Sequence, residues 1–495
     1  MQPVRPDDWQ RWRREGCTRL PATLVVRDTP PPSTWEAFAG GPATVLLESA
    51  QTGRYTYICD RPARLIIGGA DHAEVRSADG ATRLRRIPGK PLEILEALLN
   101  EARVPTLAGW PAMTGGLLGV LGYDLVHTWE KLPRTARRDL ALPLYAMIET
   151  AGLFIYDHVE RALGVVEWCP ASADFDRAHE SLRAALERWE GRAPLPPTFE
   201  PPTARTEAPR SPPPPSFTPA AFHAAVRRTL DYIAAGDTYQ VNLSLRASRP
   251  AELDPTTIYE SLRRINPSPY MGLLRLPEFA LVCGSPELLV KLDPAGRIIS
   301  RPIAGTRPRG EAPPQDSDLS AELFASPKER AEHLMLVDLI RNDIGRVAAY
   351  GSVQVSEFMG LERYSHVMHI VSQVEGQLAA GRTWADVFRA MFPGGTITGC
   401  PKIRTMEIIE ELEPVGRGYY TGALGWVSYG GAMEMNIVIR SMLVQDGIAH
   451  VQAGAGVVAD SQPERELDES LRKARALWDA LAAAATSPAA STRNA

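Results

Sequence analysis

Residues 193–217, "APLPPTFEPPTARTEAPRSPPPPSF", constrain the folding of this chain more than any other stretch. Proline has no amide proton for a helix or a sheet ladder, and apolar residues are scarce here, so neither a periodic helix nor a paired strand can form. The stretch reads as a connector. It divides 495 residues into a region 1–192, a linker 193–216, a richer region 217–481 and a flexible tail 482–495. A chain of this length, 44% hydrophobic, can bury one very large core or two ordinary ones, and two domains is the expectation.

The formal net charge of -5 exerts no global pull on nucleic acid or anionic lipid, so a small anionic ligand needs local basic groups. The five cysteines, odd in number and without close pairs, argue against a disulfide framework and against a thiolate zinc site. The N-terminus lacks the apolar core of a signal peptide, and no apolar run approaches the roughly 18 residues of a membrane span. The expectation is a soluble cytoplasmic protein that binds neither membrane nor nucleic acid.

The second region opens with "TPAAFHAAVRRTLDYIAAGD". Thr218 suits the N-cap, Pro219 the first helical position and Gly236 the stop, with Phe222, Val226, Leu230 and Ile233 as the buried stripe. "YQVNLSLR" then alternates strictly, with Tyr239, Val241, Leu243 and Leu245 on one face and Gln240, Asn242 and Ser244 on the other. A strand with a polar face either meets water or lines a site. "MEMNIVIRSMLV" alternates again, placing Met433, Met435, Ile437 and Ile439 opposite Glu434, Asn436 and Arg440. Helices and strands in this irregular order predict an α+β fold.

Two helices concentrate carboxylates. "SPKERAEHLMLVDLIRND" starts with a capping box from Ser326 to Glu329, and Glu329 and Glu332 share a face. "PERELDESLRKARALWDAL" brings Glu466, Glu469 and Lys473 into a narrow arc, directly after the turn of Gly454, Ala455 and Gly456. Taken alone, each pattern fits a helix start or an exposed i, i+4 ion pair. Facing each other, the two would make an oxygen-only site suited to Mg2+. In "MFPGGTITGCPKIRTMEIIEELEP", Gly394 and Gly395 make a turn, Pro401 opens a helix, and its free amides favour an anion with help from Lys402.

Together, "YQVNLS", "GSPELL", "RPIAGTRPRG", "ERAEHLMLVDLIRNDIGRV", "RYSHVMHIVS", "GGTITGCPKIRTMEIIEELEP" and "AGAGVVADSQPE" strongly resemble the chorismate-utilising enzymes. That family includes the large subunits of anthranilate synthase and aminodeoxychorismate synthase, with isochorismate and salicylate synthases as more distant relatives. The resemblance covers about 217–481, and "LLES" and "GGLLGVLGYDLV" extend it into the first region. It implies an anthranilate-synthase-like α/β sandwich with the site in a cleft of the C-terminal region.

Position by position, the resemblance implies Glu332 and Glu469 as Mg2+ ligands, with Glu329 and Glu466 nearby. Gln240, Gly305, Thr306, Tyr420, Arg440, Gly454, Ala455 and Gly456 match substrate positions. Glu287 matches the general acid, and His369, Thr396 and Lys473 complete the catalytic set. The family's reaction adds a nucleophile to ring carbon 2 of chorismate while the carbon 4 hydroxyl leaves. Relatives that add water carry lysine where this chain has Gln240, so Gln240 implies ammonia, supplied by a separate glutamine amidotransferase subunit.

Lysine at position 304 marks the best-known aminodeoxychorismate synthases, and this chain has Ala304, as anthranilate synthases do. "PGGTITGCPK", "VDLIRND" and "LLESAQTGRY" resemble the aminodeoxychorismate branch, including a subgroup with alanine at this position. The expected product is therefore 4-amino-4-deoxychorismate, with anthranilate as the alternative. Ser49, Pro269, Tyr270 and Met271 match the tryptophan pocket of anthranilate synthases, read either as an inhibitory site or as inherited interdomain packing.

Overall fold

The computed structural model describes residues 1–39, 41–49, 53–191, 214–309, 313–363 and 367–486. Most of the expected linker and the last nine residues of the expected tail lie outside these. The two regions on either side of the linker interlock through antiparallel pairs. Strand Thr44–Glu48 pairs with Tyr270–Arg275, and Gly116–Leu121 pairs with Ala423–Ser428. One buried cluster accordingly mixes Leu121 and Tyr145 with Val337, Phe388 and Met433. No helix among the described residues is long and apolar enough to cross a membrane, and all five cysteines are free.

Local rules set the elements that matter for the site. Helix Pro219–Ala234 is capped by Thr218, whose side chain accepts from the Ala221 amide, and the chain turns at Gly236 with φ +80°. Strand Gln240–Pro250 follows and runs antiparallel to Ile448–Val457. Val241 and Leu243 are fully buried, as the alternation requires, whereas Tyr239 precedes the strand and is 70% exposed. Helix Pro463–Ala485 packs against Ile448–Val457 and extends past the expected end at residue 481.

The expected alternation through "MEMNIVIRSMLV" breaks after four residues. Strand Met433–Asn436 ends, the chain crosses over, and pairing resumes at Ser441–Gln445. The break is held by Ser285, whose hydroxyl donates to the Ile437 carbonyl at 2.6 Å, and by the Gly284 amide, which donates to the Arg440 carbonyl at 3.0 Å. Arg440 sits at the crossing with φ +51°, a left-handed conformation that costs a side-chain-bearing residue energy.

A buried ion pair ties these elements together. Arg417 and Glu413 are almost completely enclosed, and the guanidinium donates to both carboxylate oxygens, at 2.8 and 3.0 Å. Its remaining protons reach the Asn242 carbonyl at 2.7 Å and the Ile397 carbonyl at 2.8 Å. Glu413 also accepts from the Ser244 amide and hydroxyl, each at 2.8 Å. Removing one partner of such a pair strands a buried charge, so Arg417→Met should lower unfolding free energy by about 3–5 kcal/mol in urea titrations. A loss under about 1 kcal/mol would contradict this role.

Candidate active site

The polar face of strand Gln240–Pro250 is turned inward: Gln240 is 3%, Asn242 7% and Ser244 1% exposed. Opposite it in register stand Gly456, paired with Asn242, and Gly454, paired with Ser244. A Cβ on Gly456 would lie 2.6 Å from Gln240 Nε2, so glycine is what lets the amide pass. Ala455 pairs with Leu243 on the buried apolar face, leaving its backbone to the site side.

Both expected metal-binding carboxylates are anchored to this floor. Gln240 Nε2 donates to Glu332 Oε1 at 3.1 Å. Glu469 Oε1 meets Lys473 Nζ at 2.8 Å, and Lys473 donates to the Gly454 carbonyl at 3.0 Å. Glu466 faces inward on its helix, and Glu329 receives Arg307 at 3.4 Å. Only half of the expected capping box forms: Ser326 accepts from the Glu329 amide, while the Glu329 carboxylate turns to Arg307.

Among the described residues, no three of these four carboxylates gather into one ligand set. The one such group is Asp124, His127 and Glu410. Arg138 occupies its centre, with Nη2 at 2.9 Å from His127 Nε2, 3.5 Å from Asp124 and 3.6 Å from Glu410. A guanidinium there takes the place of a cation. Lys402 likewise differs from expectation: it pairs with the buried Asp343 at 2.6 Å rather than standing ready for an anion.

Glu287 is buried, and that burial pushes its carboxyl up to about 7 against the weaker downward pull of the Thr396 hydroxyl and the Lys473 ammonium. His369 is shifted down by burial, although its hydrogen bond to the Gly305 carbonyl, 3.0 Å from Nδ1, works the other way. With Nδ1–H donating to that carbonyl, the neutral ring keeps its lone pair on Nε2. Gly305 bulges out of strand Ile303–Pro308 with φ +67°, and a Cβ there would strike Leu323 at 2.8 Å. Thr306 pairs through its backbone with His369, and its side chain lies outside the described residues. Ala304 is a buried methyl paired with Ile370.

The arginines of "RPIAGTRPRG" stabilise their own segment. Arg301 pairs with Glu362, Arg307 with Glu322 and Glu329, and Arg309 with Asp316. Arg440 differs: among the described residues no carboxylate lies within ion-pair distance of it. Burial lowers its pKa, while Tyr420 and the more distant Glu469 raise it. A deeply set guanidinium without a carboxylate is prepared for an anionic ligand. Burial raises the Tyr420 phenol, which stacks near Arg417 at 5.6 Å.

Ser49 follows strand Thr44–Glu48, while Pro269 precedes and Tyr270 and Met271 begin the strand paired with it, so the four lie at the same end of that pair. Beside them is a network that sequence reasoning missed. Buried Glu48 accepts from Arg263 through both oxygens, at 2.7–3.0 Å, and from the Tyr259 hydroxyl at 2.9 Å. The only hint in the sequence is one glutamate in an otherwise apolar strand, "TVLLE".

The profile of the family described as "chorismate binding enzyme" matches residues 43–479. The chain belongs to the chorismate-binding enzyme family. Aminodeoxychorismate synthase component 1 of Bacillus subtilis is 44% identical over 447 residues, 88% of this chain and 91% of that protein. Anthranilate synthase component 1 of Thermus thermophilus is 43% identical over 460 residues, 92% of this chain and 96% of that one. Among solved structures, anthranilate synthase component I from Streptococcus pneumoniae superposes with a TM-score of 0.75 at 32% identity, covering 86% of this chain and 92% of that chain. The likeness confirms the mixed α and β architecture expected from the motifs.

In this chorismate-binding enzyme the Glu287 carboxyl should couple stability to pH. Its pKa is about 7 folded against an ordinary value of 4.5, so the folded state retains a proton that the unfolded chain releases. The associated stability is complete below about pH 4.5 and is lost as pH rises through 7. Glu287→Gln should therefore gain on wild type between pH 5 and pH 8 by on the order of 2–3 kcal/mol, read by denaturant titration at both values. A difference that does not change with pH would contradict the assignment.

Proposed function

We propose that this chain is the synthase subunit of a chorismate aminase, forming 4-amino-4-deoxychorismate from chorismate and ammonia. The observation that carries amination, rather than hydration, is Gln240: a neutral carboxamide, held by Glu332, faces the glycines of 454–456 where a base would be needed to activate water. Ammonia is already nucleophilic without losing a proton. Arg440 receives a carboxylate of the substrate, and the amides and glycines of 454–456 let the ring lie close to the floor.

Glu287 is the acid. As the nitrogen bonds to ring carbon 2 and both ring double bonds shift, the carbon 4 hydroxyl takes the Glu287 proton and leaves as water. The new ammonium then returns a proton to the Glu287 carboxylate. A second ammonia entering at carbon 4 shifts the double bonds back while the carbon 2 amine takes the Glu287 proton and leaves as ammonia, and the new carbon 4 ammonium returns a proton to Glu287 to give the 4-amino product. Loss of pyruvate from the carbon 2 adduct instead gives anthranilate, with neutral His369 suited to take the ring proton. Ala304 favours this second outcome, because a methyl cannot capture the ring covalently as a lysine amine would.

The donor chemistry fits Mg2+, which is commonly held by one or two carboxylates with water completing its shell. Glu332 and Glu469, both tied to the floor of 454–456, would hold it, and it would neutralise the substrate's ring carboxylate. Ammonia would come from a separate glutamine amidotransferase subunit. Ser49, Pro269, Tyr270 and Met271 would form a tryptophan-sized pocket supported by the Glu48 network.

The purified chain, incubated with chorismate, Mg2+ and ammonium at mildly alkaline pH, should yield an amino product that a lyase converts to 4-aminobenzoate, identified by chromatography and mass. Fluorescent anthranilate with pyruvate would select the second reading. Unconsumed chorismate would overturn both.

A further inference from the structure

Two buried oxygens on the site floor have no hydrogen-bond partner among the described residues: Gln240 Oε1 and Asn242 Oδ1. Both belong to side chains more than nine-tenths buried, 3% and 7% exposed. An unpaired buried acceptor is costly, so its persistence at two neighbouring positions needs a reason. The Gln240 carboxamide is held in one orientation. Gln240 donates through Nε2 to the Glu332 carboxylate, which only accepts, so the amide nitrogen must face Glu332 and the oxygen must point elsewhere. The Asn242 backbone is fixed on both sides, its amide donating to the Thr398 carbonyl at 2.8 Å and its carbonyl accepting from Arg417 at 2.7 Å.

Both side chains leave the same face of the strand, the face toward Gly454 and Gly456. A Cβ on Gly454 would come within 2.7 Å of Asn242 Oδ1. The Thr398 contact also places Asn242 against the turn that carries Thr396, which neighbours the acid Glu287.

We propose that Asn242 and Gln240 form an acceptor pair that binds ammonia as the nucleophile. The proposal rests on the amination reading above and adds the site that holds the nitrogen. Ammonia has three N–H donors and one lone pair. Two carboxamide oxygens occupy two donors and leave the lone pair to face the ring. Same-face positions on a strand lie about 7 Å apart, and one tetrahedral nitrogen at about 2.9 Å from each of two acceptors bridges oxygens roughly 4.7 Å apart, so the two carboxamides lean toward one another to share it. A carboxamide cannot take a proton at neutral pH, so the pair positions a nucleophile without acting as a base.

The test is steady-state kinetics with chorismate, Mg2+ and varied ammonium chloride on wild type, Asn242→Val and Asn242→Thr. Valine and threonine share a shape and differ in one acceptor oxygen. The valine variant should raise the KM for ammonium about tenfold with the KM for chorismate unchanged, and threonine should recover part of that loss. Equal ammonium KM values in all three proteins, or a rise confined to the chorismate KM, would overturn the acceptor pair. Wild type that consumes chorismate without incorporating nitrogen would overturn the amination reading itself, and the pair with it.

Discussion

The register between strands Gln240–Pro250 and Ile448–Val457 fixes everything else at the site. Ten consecutive pairs, from Val241 with Val457 to Pro250 with Ile448, lock it. Side chains alternate along a strand, so a slip of one residue would send Gln240, Asn242 and Ser244 into the apolar layer and bring Val241 and Leu243 to the site. Only the observed register lets Gln240 reach Glu332 over Gly456 and leaves the Gly454 carbonyl for Lys473. Two helices distant in sequence are thereby aimed at one floor. Arg417 holds the same strand from behind by its Asn242 carbonyl.

Burial then sets the protonation states. It raises Glu287, lowers His369 and lowers Arg440 by the same physical cause, with local partners only moderating each shift. The result is a carboxyl whose proton comes off near neutrality and an imidazole biased to its neutral form, both set by environment rather than by residue type. The guanidinium of Arg440 contributes an uncompensated positive charge where an anionic substrate would supply the missing partner.

Local features were legible in the chain before any coordinates. The Thr218 cap, the Ser326 cap, the i, i+4 pair of Glu469 and Lys473, and the inward polar face of "QVNLS" follow from short-range rules, and each is present. Long-range partners were not legible. Lys402 with Asp343, Arg263 with Glu48, and the Arg417 grip on Asn242 join residues far apart in sequence, and no periodicity encodes such pairings. The alternation through "MEMNIVIRSMLV" misled because Arg440 turns left-handed under hydrogen bonds from a neighbouring strand. The proline-rich stretch marked a break in regular structure but not the way strands from its two sides pair with each other. Roles for Glu287, His369 and Arg440 came from resemblance to known motifs; spacing alone left them as buried polar residues.

In the proposed reaction, nitrogen rather than water adds to the chorismate ring. Isotope partitioning tests it most directly: the purified chain is supplied with chorismate, Mg2+ and nitrogen-15 ammonium in oxygen-18 water, and the product mass is read. Nitrogen-15 in the product with no oxygen-18 at the ring is the predicted result. Oxygen-18 at the ring with nitrogen-15 absent would contradict amination and reassign the carboxamide of Gln240 to water chemistry.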